Sequence, residues 1–193
     1  SGKTEYLEEL KKAVHLNEEM IEKATEFIQL HYKEFSSMSW VYSCGAGANY
    51  GTALESALKM GETIHIPSCC YEIEEYIHGP NLQLTPQYNV IFFDGNDGAS
   101  RRVEQVYKAT RKVSNRAYLI SNNPQLSSDD HVLSLSDTVS SELCPLVYLP
   151  FVQLLSFIVS NDLHSIYQHP LLKEFKAIAA AKTENFVNYD GDD

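Results

Sequence analysis

A chain of 193 residues fits one ordinary domain with attached helices, and a hydrophobic share of 44% supplies a substantial core, while 21% charged residues exclude global disorder. The net charge of −11 argues against a dedicated nucleic-acid surface, because neutralising many phosphates needs clustered Lys and Arg. It leaves room for a phosphorylated small molecule, which a few local donors or a helix N-terminus can hold.

Residues 4–35 read as helical. Met20, Ala24, Phe27, Ile28 and His31 or Tyr32 recur at three-to-four spacing, with Glu18, Glu19, Glu22 and Lys23 opposite. Such a helix either links two domains or packs across one. Ser39 to Cys44 is expected to be a strand that ends in the turn Cys44-Gly45-Ala46-Gly47. Tyr50 to Met60 returns to helical period, and Thr63 to Ile66 reads as a second strand. A short helix over Ile73 to Ile77 stops at Gly79-Pro80. Tyr88 to Phe93 is a strand, Gly98 to Val113 an amphipathic helix, Ala117 to Ser121 a strand and His131 to Leu135 another. The apolar stretch Leu143 to Val159 is interrupted by Pro145, Pro150, Gln153 and Ser156. It reads as a core helix rather than a bilayer span.

Strands alternating with helices predict an α/β domain: a doubly wound parallel five-stranded sheet flanked by helices. Residues 1–36 are read as leading or linker helices, 37–165 as the domain and 166–193 as a C-terminal tail. The opening Ser1-Gly2-Lys3, without an initiator Met, is expected to be a tag remnant or the edge of an excised segment whose partner half is missing. Cys44, Cys69, Cys70 and Cys144 have neither zinc-site nor C-x-x-C spacing. They are expected to be buried, reduced thiols of a cytoplasmic protein.

Three groups of residues could carry chemistry. The turn around Gly45 and Gly47 stands at a strand's carboxyl end, where ligands of doubly wound sheets bind; it also reads simply as a tight turn. Glu55, Lys59 and Glu62, at i, i+4 and i+7, fall on one helix face. They form either a solvated ladder or a carboxylate base beside a positioning lysine. Glu75 and His78 share a face at i, i+3. The histidine suits proton transfer near neutral pH, or else it only caps the helix.

Taken in order, these pieces resemble a known family. Gly45-Ala46-Gly47, then Ala53-Leu54-Glu55-Ser56-Ala57-Leu58-Lys59-Met60-Gly61-Glu62, then Glu75-Tyr76-Ile77-His78-Gly79-Pro80 are similar to the second sugar-isomerase (SIS) domain of glucosamine-fructose-6-phosphate synthases and fructosamine-phosphate deglycases. The resemblance implies a flavodoxin-like SIS fold. It implies that Glu62 moves a proton between C1 and C2 of an open-chain sugar, and that His78 assists ring opening from a neighbouring subunit. It implies substrate contacts for Gly45, Gly47, Glu55, Lys59 and Glu75, and for Lys182 in Ala181-Lys182-Thr183, which also reads as an exposed helix-end lysine.

The Ser-rich loop by which the family's other SIS domain grips the sugar phosphate is not found in this sequence. The resemblance therefore implies the C-terminal half of a tandem isomerase or deglycase, aminotransferase-like and acting on ketose or fructosamine 6-phosphates. An N-terminal SIS domain would be its missing partner. Homodimerisation is implied, with no cofactor, metal, nucleic acid or membrane. The alternative is a non-catalytic phosphosugar-binding or regulatory SIS module.

Overall fold

In the computed structural model, the described residues are 2–165 and 178. The elements in chain order are α1 (Gly2–Leu30), α2 (Tyr32–Ser36), β1 (Val41–Gly45), α3 (Asn49–Lys59), β2 (Ser68–Glu72), α4 (Ile73–Ile77), β3 (Asn89–Asp94), α5 (Ser100–Thr110), β4 (Ala117–Ser121), β5 (Val132–Ser134) and α6 (Cys144–Asp162). A π turn over Met60–Ile64 joins the end of α3. Short 3-10 turns cover Pro80–Gln83 and Pro124–Leu126.

The five strands form one sheet in the order β2-β1-β3-β4-β5. Every pairing is parallel, from Val41 opposite Ser68 to Ser121 opposite Ser134. β1, β3 and β4 are buried along their whole length because helices cover both faces. Strand alternation divides the core in two. Val41, Ile91, Phe93, Tyr118 and Ile120 point to the layer of α1, α3 and α6. Tyr42, Val90, Phe92 and Leu119 point to the layer of α4 and α5, against Ile73, Tyr76, Val103 and Tyr107.

The helical reading of residues 4–35 holds, but α1 does more than lead in. Its stripe of Ala13, Leu16, Met20, Ala24, Phe27 and Ile28 enters the same core as α6. α6 starts at Cys144 and runs 19 residues straight through Pro150. By length and composition it could cross a membrane; in this fold its residues Val147, Tyr148, Phe151, Val152 and Leu155 are wholly enclosed by protein. A proline inside a helix deprives the carbonyl four residues earlier of its donor and costs about 3 kcal/mol. Here that carbonyl belongs to Leu146, and Asn17 of α1 donates its Nδ2–H to it at 2.7 Å. The hydrogen bond and the burial of Phe151 and Val152 next to the proline together offset the cost, at roughly 1.5–3 kcal/mol per large side chain.

One predicted element is displaced. Thr63 to Ile66 is not a strand: residues 60–64 form the π turn, and His65 then adopts the left-handed conformation (φ 63°) that ends it. The real second strand is Ser68–Glu72, at the sheet edge, where only partial burial makes an apolar pattern unnecessary. The thiols differ as well: Cys44 and Cys144 are buried, Cys70 is partly covered and Cys69 is exposed, all four reduced.

Candidate functional site

α3 starts beyond the carboxyl end of β1 and returns antiparallel to the strands. Its far end therefore lies at the amino edge of the sheet. A Cβ on Gly61 would sit 3.1 Å from Ser68 Oγ, the first residue of β2. Here the π turn presents Glu62. The ammonium of Lys59 lies 2.9 Å from Glu62 Oε2 and 3.6 Å from Glu55 Oε1. The hydrogen bond to Glu62, with the charge of Glu55 behind it, holds the Lys59 ammonium above its ordinary range, against the burial that opposes it. The side chain of Glu62 is 51% exposed and those of Lys59 and Glu55 about a third. All three residues predicted from spacing are thus joined in one polar set. The extra residue of a π turn shifts the side chains that follow it, and such turns recur at functional sites. Nothing in the sequence marked it.

His78 stands on the other side of the sheet. It follows α4, and its backbone N–H caps that helix at the carbonyl of Glu75 (3.1 Å). The anchors of α4, Ile73 and Tyr76, lie in the α5-side core, whereas Met60 and Ile64 of the Glu62 turn lie in the α1–α6 core. Both His78 and Glu75 point to solvent. Beside them Glu74 accepts two hydrogen bonds from Arg102 of α5 (2.6 and 3.1 Å), and Arg102 holds its carboxyl below the usual range. Among the described residues, no hydrogen bond or ion pair joins His78 to the Glu55–Lys59–Glu62 set.

The glycine turn is remote from Glu62. Thirteen residues of helix separate Asn49 from Glu62, about 20 Å at 1.5 Å per residue. Gly45 is fixed by crowding, since a Cβ there would collide with the carbonyl of Asn49. Gly47 has φ +54°, which glycine tolerates without strain. The carboxyl ends of β1, β3 and β4 are occupied by the chain's own polar groups. Asp94 is fully buried and accepts from Ser121 Oγ at 2.8 Å. Asp97 Oδ1 accepts from the N–H of Ala99 at 2.8 Å. The buried Cys144 thiol, raised to about 11 by desolvation, faces the carbonyl of Gly95 at 3.5 Å.

Lys182 lies outside the described residues. Where α6 ends, however, the Ser165 hydroxyl donates to the carbonyl of Thr63 at 2.6 Å, inside the π turn. As to metals, Asp129, Asp130 and His131 bring three ligand atoms within 4.8 Å of one another. Those atoms already serve the fold: Asp129 accepts from Tyr107 Oη and from the N–H of His131, and Asp130 Oδ1 pairs with His131 Nδ1 at 2.7 Å.

Comparison with known proteins sets relatives beside this geometry. No protein-family model matches the chain. A glutamine–fructose-6-phosphate aminotransferase (isomerizing) from Idiomarina loihiensis is 28% identical over 153 residues, 78% of this chain and 24% of the relative. The C-terminal domain of glucosamine-fructose-6-phosphate aminotransferase from Francisella tularensis superposes with a TM-score of 0.69 and 26% identity, over 81% of this chain and 44% of that one. A Clostridium difficile protein provisionally named a phosphosugar isomerase superposes with a TM-score of 0.79 and 22% identity, over 94% of this chain and 52% of that one. The chain spans about a quarter of the length of the curated relatives it matches.

Proposed function

We infer that this chain, a domain of the SIS fold similar to the C-terminal part of the glucosamine-fructose-6-phosphate aminotransferases, supplies acid–base groups for proton transfer on a phosphorylated ketose or ketosamine. The observation that carries the reading is the hydrogen-bonded set Glu55–Lys59–Glu62 on a π turn. Glu62 takes the proton from the carbon next to a carbonyl or iminium, leaving an enediol or enolamine. It then returns the proton to the neighbouring carbon. Lys59, held cationic between two carboxylates, fixes the Glu62 carboxylate and can stabilise the developing oxyanion. In an isomerase the sugar changes between ketose and aldose; in a deglycase, hydrolysis of the imine follows and releases an amine.

The solvent exposure of Glu62 favours a site completed by other parts. A general base works best when partial burial brings its pKa toward the working pH. We therefore read the missing cover, the phosphate grip and the ring-opening histidine as contributions from an N-terminal SIS domain and a second copy of the chain. His78 stands on the opposite sheet face from Glu62, as expected if each serves a different active site in a dimer. The half-exposed Leu146 and Phe157 of α6, beside Val14 and Ile21 of α1, offer apolar area for assembly. The hydrogen bond from Ser165 to the carbonyl of Thr63 brings residue 165 next to the Glu62 turn.

The test is solvent-deuterium exchange at the carbon next to the carbonyl of fructose 6-phosphate, in the parent protein. Glu62→Gln keeps shape and polarity but cannot accept the proton. Exchange should fall by roughly 10²-fold or more while substrate binding survives. Undiminished exchange in the variant would return the three residues to a solvated ladder. Its absence from the wild type would favour a non-catalytic binding module.

A further inference from the structure

We propose that the cavity at the amino ends of β4 and β5, walled by Arg111, Arg116, His31, His131 and Glu34, is a second binding site, for a small anion that also carries hydroxyl groups. Its volume of about 620 Å³ lies in the usual range of small-molecule sites. It shares the sheet's amino edge with Glu62 but opens at the opposite end. Three strand spacings of about 4.8 Å separate β2 from β4.

Three observations converge on it. The first is unpaired positive charge. The chain has 26 acidic residues against 15 lysines and arginines, yet among the described residues no carboxylate lies within ion-pair distance of Arg111 or Arg116. Each donates one hydrogen bond to a backbone carbonyl, Arg111 to Asn115 at 2.9 Å and Arg116 to Ser37 at 3.4 Å. A guanidinium has five N–H donors, so most of theirs remain for a ligand.

The second is an orphaned hydroxyl. Tyr118 is fully buried, and its Oη has no hydrogen-bond partner. Its ring lies against both cavity histidines, 5.0 Å from His31 and 5.4 Å from His131. The charges that bear on its phenol, after the burial that raises it, are Glu34, Arg116 and Arg111, all cavity walls. In the proposed site this buried hydroxyl, packed behind the two histidines that line the cavity, is the spare donor.

The third is the division of carboxylates. Asp130 is engaged by His131 Nδ1 at 2.7 Å, and His131 Nε2 lies 3.1 Å from the carbonyl of Asn115. Glu34 has no such partner among the described residues. Two guanidiniums face two carboxylates, Glu34 and Asp130, and Asp130 is already taken by His131; the spare guanidinium donors favour an anion, and Glu34 is left to accept from a donor on the same ligand. That excludes a bare anion as the best fit and selects a hydroxylated one, either phosphorylated or carboxylated.

Titration calorimetry on the protein at constant ionic strength, with glycerol 3-phosphate, citrate and inorganic phosphate as probes, tests the site and separates the two anion types. Glycerol 3-phosphate or citrate should bind saturably and more tightly than inorganic phosphate. Arg111→Gln and Arg116→Gln should each weaken that binding about tenfold or more, and Tyr118→Phe, which keeps the ring and removes only the hydroxyl, about threefold or more. Glu62→Gln should leave it unchanged. The proposal is overturned by no saturable binding up to about 10 mM, by inorganic phosphate binding as tightly as the hydroxylated probes, or by affinity that ignores both arginines. If either arginine variant fails to fold, Tyr118→Phe decides: undiminished affinity there overturns the site.

Discussion

The two edges of the sheet are built on opposite plans. At the carboxyl edge, where a doubly wound fold ordinarily receives its ligand, the ends of β1, β3 and β4 are packed with Asn49, Asp94, Ser121 and Asn122, all buried. At the amino edge the chain leaves charges open to solvent: Glu62 on its π turn at one end, Arg111 and Arg116 around a cavity at the other. The ligand rule of a fold describes where strands and helix N-termini create opportunity, and a sequence can close that opportunity with its own side chains. In this chain the carboxyl ends of the central strands are closed by buried side chains, while the amino edge leaves Glu62, Arg111 and Arg116 open.

The comparison can be broken most sharply at the proposed site. If Glu62 of one subunit works with His78 of another, Glu62→Gln and His78→Asn proteins should each turn over at about 1% of wild type or less. Their co-expressed mixture should recover about a quarter of wild-type turnover, because half the dimers are mixed and one of the two sites in each is intact. A mixture no better than its components would assign both residues to one subunit. Next in size is the packed edge. Gly45→Ala places a methyl group against the Asn49 carbonyl, with the carbonyl carbon 2.7 Å away. It should cost about 3 kcal/mol or more, seen as a lower urea midpoint; an unchanged midpoint would show that the turn can relax. The smallest effect belongs to the surface of the amino edge. The hydrogen bond from His131 holds the Asp130 carboxyl below its usual range. A depressed carboxyl contributes stability above its unfolded value, about 3.9, and that contribution disappears as pH falls through the folded value. Asp130→Asn should therefore lower Tm near neutral pH by no more than about 2 °C and make the acid-side decline shallower. A slope equal to wild type would mean that the pair adds nothing.

Sequence pattern located most elements well. Ile73–Ile77 and Ala117–Ser121 fall where breakers and β-branched or aromatic runs put them. It failed at β2, because Thr-Ile-His-Ile imitates strand alternation while the true edge strand, Ser-Cys-Cys-Tyr-Glu, carries little apolar signal. Helical spacing also foretold that Glu55, Lys59 and Glu62 would meet. It could not show that 20 Å of helix takes Glu62 away from Gly45 and Gly47, because periodicity gives a face and not a height. Nor does any spacing connect Glu34, Arg111, Arg116 and His131, which only the sheet order brings to one cavity.

The bond between Asn17 and the carbonyl opposite Pro150 has an evolutionary consequence. A proline in α6 creates a vacancy that only α1 can fill, so neither residue is free to change alone. Lineages that lose the proline regain a backbone donor and release the asparagine; lineages that keep it must keep a donor on α1. Two positions more than a hundred residues apart are thus expected to be inherited as a pair, an imprint of α1 within the domain rather than ahead of it.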